Sequence, residues 1–130
     1  MVECSDLPAP LGLYSHVSRV TSGNTIYIAG QVGVDSQGRL VGPNDLAAQM
    51  RQTFVNLGVA LKAAGGSFAD VAKFTTYITR DTDLPTFMET RKGIFAKIYP
   101  SGGYPPNTLL VISRLVKPEL LIEIEAIAVV

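Results

Sequence analysis

The chain has 130 residues, 47% of them apolar, with 11 basic and 11 acidic side chains and a net charge of zero. That composition fits a folded domain and excludes a disordered chain, and the scattered arginines and lysines form no stripe that would follow a nucleic-acid backbone. Cys4 is the single cysteine and His16 the single histidine, which excludes an intrachain disulfide and the usual zinc sites.

One domain over residues 1–130 is expected, with a core that hides roughly two-thirds of the unfolded surface. The first six residues carry no basic region and no apolar core, so no signal peptide is expected. The longest apolar stretch, Leu120 to Val130, holds Glu123 and Glu125 and is too short to cross a membrane. A cytoplasmic protein with no membrane and no nucleic-acid partner is the expectation.

Pro8, Pro10 and Gly12 make the start irregular. His16–Val20 and Thr25–Ala29 read as a hairpin around Ser22-Gly23-Asn24. Gln31–Val34 and Leu40-Val41 read as a second hairpin. Leu46, Met50, Phe54, Leu57, Leu61 and Ala64 then recur at helical spacing. Asn44 is the expected cap of that helix, and Gly65-Gly66 its end. Val71–Thr79 is β-rich, with Ala72, Phe74 and Ile78 on one face. A second helix is expected from Leu84 to Tyr99, capped by Thr82 or Asp83, with Pro85 in its first turn and Pro100 as its stop.

Two strands follow, Thr108–Leu115 and Leu120–Val130. The order is ββαβαββ, an α+β fold with both helices on one face of the sheet. In the last strand, Leu120, Ile122, Ile124, Ala126, Ala128 and Val130 share an apolar face. Leu121, Glu123, Glu125, Ile127 and Val129 share the other, which is too apolar for free contact with water. A symmetric homo-oligomer is the simplest cover.

Glu123 is the leading candidate for chemistry. A carboxylate at a subunit interface is partly desolvated, which raises its pKa towards the range for acid–base work; the alternative is an ordinary ion pair. Tyr14 could orient a ligand through its hydroxyl, or be a half-buried aromatic. Gly30, after Ala29, allows close approach of a ligand, or marks a β-bulge. Asn107-Thr108 offers polar groups at a strand start.

Taken together, Gly12-Leu13-Tyr14-Ser15, Ile28-Ala29-Gly30-Gln31, Asn56-Leu57, Leu61 to Gly66, Asp70 to Lys73 and the closing Ile122-Glu123-Ile124-Glu125-Ala126-Ile127-Ala128 resemble the Rid family of reactive-intermediate deaminases, also called YjgF-like proteins. The likeness runs from about Pro8 to the C-terminus. It implies a chorismate-mutase-like mixed sheet with two helices on one face. It also implies a homotrimer with a small-molecule cleft between subunits, and hydrolysis of an enamine or imine to a carbonyl product and ammonia without metal or cofactor. By resemblance, Glu123 is the catalytic residue that holds the attacking water and Tyr14 lines the cleft. Ala29, Gly30, Met88, Asn107, Thr108 and Leu109 complete the substrate site.

Four positions depart from the family pattern. Asn107 stands where an arginine clamps the substrate carboxylate, Leu109 where cysteine is frequent, Ala29 where serine is common, and Met88 where asparagine is usual. An amide lacks the guanidinium's charge and fork. Arg114 is no replacement on the predicted strand. It lies roughly 23 Å further along at strand rise, and an odd offset turns it to the opposite face. An arginine from a neighbouring subunit stays open. The alternatives to catalysis are a ligand-binding trimer without activity and a chaperone-like or regulatory interaction protein.

Overall fold

The computed structural model describes all residues, Met1–Val130. Four strands and two helices occur in the order β1 (Thr25–Val32), α1 (Leu46–Ala63), β2 (Val71–Ile78), α2 (Leu84–Ile98), β3 (Asn107–Val111) and β4 (Ile122–Val129). Short 3-10 turns at Phe68–Asp70 and Asp81–Asp83 lead into β2 and α2. The sheet order is β1-β4-β2-β3. β4 is antiparallel to both neighbours, and β2 and β3 run parallel across α2. This is the expected α+β architecture, a mixed sheet with both helices on one face.

The periodicities explain the layers. Alternate β4 residues Ile122, Ile124, Ala126 and Ala128 are buried, and they meet Met50, Phe54, Leu57 and Leu61 of α1 and Phe87 and Phe95 of α2 in one core. Phe54 contacts Phe74 and Phe95 edge-on, at centroid separations of 5.9 and 6.0 Å. The edge-to-face arrangement suits the aromatic quadrupole.

Several local expectations are corrected. The first hairpin does not form: β1 is the one strand in the first half of the chain, and a single bridge joins Val2 to Val17. The second is reduced to one antiparallel bridge, Val34 to Leu40, around the expected turn, where the Val41 N–H donates to the Gly33 carbonyl. The Ser22-Gly23-Asn24 turn instead leads β1 alongside β4, with Asn24 and Val130 exchanging backbone hydrogen bonds. Asn44 does not cap α1. It takes the left-handed conformation, at φ 56°, and the Asp45 side chain accepts from the Ala48 N–H. Asp83 begins α2 without a capping hydrogen bond, because its carboxylate holds Arg80 at 2.7 Å.

Ala72 does not share a face with Phe74 and Ile78. A register shift between Val71 and Lys73 makes it a bulge residue, so Val71 fills the core position. β3 stops at Val111, well short of Leu115. Leu121 precedes β4 and is buried in the core instead of on the outer face. Its N–H donates to Gln49 Oε1, 2.8 Å away.

No helix is long and apolar enough to cross a membrane.

Candidate functional site

Strand alternation divides the expected site residues between the two faces of the sheet. On the helix side, β3 presents Asn107 and Leu109, while Thr108 and Leu110 point the other way. Thr76, also on the helix side, donates from Oγ1 to Asn107 Oδ1 at 2.8 Å. The N-terminal segment crosses this end of the sheet, and the Tyr14 hydroxyl accepts from the Leu11 N–H. Tyr14, Met88, Asn107 and Leu109 thus surround one cavity of about 240 Å³, together with Leu11, Gly12 and Arg91. Four of the eight expected residues meet here.

Arg91 is the residue that sequence reasoning missed. It is only 4% exposed. Its guanidinium carbon lies 4.9 Å from the Phe87 ring centroid and 6.0 Å from that of Phe95. Nη2 donates to Met88 Sδ at 3.2 Å, a weak acceptor, and Nε is buried with no partner. Desolvation lowers its pKa from the usual arginine value, and the nearby Tyr14 opposes that shift. The signal was in the sequence: Arg91 falls four residues after Phe87 and four before Phe95, inside the apolar stripe of α2.

Glu123 sits on the outer face, opposite Val32 of β1 and Tyr77 of β2. It forms neither of the two salt bridges, Arg39–Asp35 and Arg80–Asp83. Desolvation, and then the like charge of Glu125, raise its pKa above the ordinary 4.5. Gly30 lies directly under it, since a Cβ built there would fall 1.9 Å from Glu123 Oε1 and 2.7 Å from its Cγ. The β1 register shifts between Ile28 and Gln31, so this glycine both marks a bulge and makes room for the carboxylate. Ala29 is exposed on the same outer side, in a second concavity with Tyr27, Thr75 and Glu125. Thr108 faces a third, with Ser15 and Lys73.

Within one chain, Glu123 and Asn107 stand on opposite faces. Glu123 is level with Tyr77, and Tyr77 with Leu110, three residues beyond Asn107. Two strand spacings and three rises put the two Cα atoms roughly 14 Å apart. Arg114 is eliminated for a reason the sequence did not give: it lies beyond β3, and its guanidinium donates to the carbonyls of Leu115 and Val116. No group of three or more potential metal ligands is present.

The sheet order and the two helices on one face define a chorismate-mutase-like α+β protein. Residues 4–130 match the family model described as Endoribonuclease L-PSP, and the chain belongs to this family, the Rid or YjgF family. The rat 2-iminobutanoate/2-iminopropanoate deaminase is 38% identical over 130 residues, 99% of this chain and 88% of the rat protein. A crystal structure of YyfB, from the conserved Rid family of Yersinia pestis, superposes with a TM-score of 0.82 at 36% identity, over 91% of this chain and 87% of that one. Escherichia coli TdcF with bound serine gives a TM-score of 0.73 at 32% identity, over 99% of this chain and 97% of that one.

Proposed function

We propose that this protein is an imine or enamine deaminase that hydrolyses a small metabolite to a carbonyl product and ammonia. The observation that carries the reading is Glu123, a partly desolvated carboxylate without an ionic partner, seated over Gly30. The likeness to the rat deaminase supports it.

Imine hydrolysis needs a positioned water and a proton for the leaving nitrogen. The Glu123 carboxylate accepts a proton as water adds to the imine carbon. That proton goes to the nitrogen to give the neutral carbinolamine, and Glu123 then carries the carbinolamine hydroxyl proton to the amine nitrogen as the C–N bond breaks, leaving the carbonyl and ammonia. No atom is left over, so the step needs no metal or cofactor. The Glu123 and Asn107 half-sites are too far apart in one chain for a small substrate to touch both. A homotrimer with clefts between subunits, where Glu123 of one subunit faces the Tyr14–Asn107 cavity of the next, satisfies both. Ala29 and Gly30 would line the Glu123 side, and Met88, Thr108 and Leu109 the other. The single free thiol and the absence of a disulfide are compatible with work in the cytoplasm.

A second reading, a ligand-binding trimer without turnover, is favoured by one observation, the serine bound to TdcF. Ammonia release from 2-aminoacrylate and from other imines separates the two. Glu123→Gln is expected to lower kcat by about 10²–10⁴-fold. An equally active variant, or a wild type silent on every imine, removes the first reading. Because the base must be ionised, activity falls as pH drops through the raised pKa of Glu123, so the acid limb should lie above the ordinary 4.5. Glu125→Gln takes away the repelling charge and is expected to move that limb to lower pH.

A further inference from the structure

A guanidinium is buried only when something compensates it, and Arg91 has no such partner inside the chain. No carboxylate pairs with it, Nε is unsatisfied, and its one hydrogen bond goes to a thioether. Two phenylalanine faces hold the planar group by cation–π contact. Gly12 keeps the space in front of it clear, since a Cβ there would lie 2.5 Å from Nη2. Arg91 lines the cavity of Tyr14, Met88, Asn107 and Leu109, and no acidic residue does. An arginine fixed in this way, with its fork toward an opening, is complementary to a planar anion that accepts two parallel hydrogen bonds.

We infer that Arg91 is the carboxylate anchor of this cavity, doing from helix α2 what the amide of Asn107 cannot do from strand β3, and that the ligand is a short monocarboxylate such as a 2-imino or 2-oxo acid. The size of the opening fits: about 240 Å³ is below the range of roughly 300–1,000 Å³ that holds drug-sized molecules. The apolar walls matter as well. Leu11, Met88 and Leu109 line the cavity, and Phe87 and Phe95 cover the guanidinium from behind, which lowers the local polarity and strengthens the charge-assisted bonds. Asn107 is committed through Oδ1 to Thr76 and keeps its Nδ2 donors for the ligand. The imine reading fixes which acid is turned over, and on that point the inference rests on the proposed function. Binding of the carboxylate does not depend on turnover.

Calorimetric titration of the full-length protein with 2-oxobutanoate, its neutral amide 2-oxobutanamide, and inorganic phosphate tests the anchor directly. The acid is expected to bind, and the amide and phosphate to bind much more weakly. Arg91→Met should weaken the acid by about ten- to a hundredfold, with a matching rise in KM for ammonia release and a smaller change in kcat. Arg91→Lys, which keeps charge but not the fork, should fall between. Thermal unfolding supplies an independent readout. Removing a buried charge that lacks a partner should leave Arg91→Met as stable as the wild type or more so, whereas a purely structural arginine would leave it less stable. Unchanged acid binding in Arg91→Met overturns the inference, as does a wild type that binds phosphate or the amide as well as the acid. Loss of acid binding in Arg91→Met, in a wild type without deaminase activity, would sink the proposed reaction and leave the anchor standing.

Discussion

Glu123 and Gly30 act as a pair. The glycine has no Cβ at the point where one would occupy the space of the carboxylate. Gly30→Ala forces the Glu123 side chain, a flexible group, to swing aside, so the cost in stability is small. The cost in catalysis is not, because a water held by a displaced base is misaligned. We expect Gly30→Ala to melt within a few degrees of the wild type and to lose about 10²-fold in ammonia release, measured on the same preparation. Full activity in Gly30→Ala would show that Glu123 need not stand where the structure puts it. Proton linkage gives Glu123 a second signature. A carboxylate whose folded pKa is raised contributes stability at low pH, and that contribution is lost as pH rises through the folded value. Glu123→Gln should therefore gain thermal stability relative to wild type at neutral pH, and the gain should vanish in acid.

At the scale of elements, one buried amide ties the first helix to the strand that carries Glu123. Gln49 is fully buried. Its Nε2 donates to the carbonyls of Gly42 and Glu119, and its Oε1 accepts from the Leu121 N–H. Leu121 stands two residues before Glu123, so this side chain sets where β4 begins. The fit is close, since a Cβ on Gly33 would lie 2.7 Å from the Gln49 Cα. Gln49→Ala leaves buried backbone groups unpaired, and urea unfolding should show a loss of about 3 kcal/mol. A loss under about 1 kcal/mol would mean that water replaces the amide. The sequence did not disclose this tie, because a glutamine at a helical core position joins groups about 70 residues away only once the chain has folded. It disclosed the helices themselves well: both apolar stripes, the Pro85 start and the left-handed Gly65, at φ 83°, are local features. The first hairpin failed because turn chemistry says that the chain reverses, not which strand it then pairs with, and Thr25–Val32 pairs with β4.

At the scale of the molecule, the outer face of the sheet is the open question that the proposed trimer answers. Tyr27 is 78% exposed, Leu110 44% and Ile127 37%, and these side chains lie around Glu123 and Glu125 on the face away from the helices. A mass three times the 13.9 kDa of the chain is expected by light scattering at micromolar concentration. Tyr27→Asp places a charge on that face and is expected to release monomers without ammonia release, because in the proposed trimer each cleft would take its carboxylate and its cavity from different subunits. A monomeric wild type, or an active monomer, would rule out the shared cleft.

The sequence by itself determined the two helices, the buried face of the last strand, the family, and the candidate carboxylate at Glu123, because each is written in local periodicity or in an ordered set of short motifs. It also showed that no arginine stands at position 107. Only the tertiary structure decided the rest. It put β4 between β1 and β2, placed Glu123 and Asn107 on opposite faces, ended β3 before Arg114, and turned Arg91 from one of eleven scattered bases into a buried cation beside Tyr14. The physical reason is the same in each case. A strand's neighbours and a side chain's partners are set by packing between residues far apart in the chain, and an arginine in an apolar stripe becomes an anchor only where the fold leaves an opening in front of it.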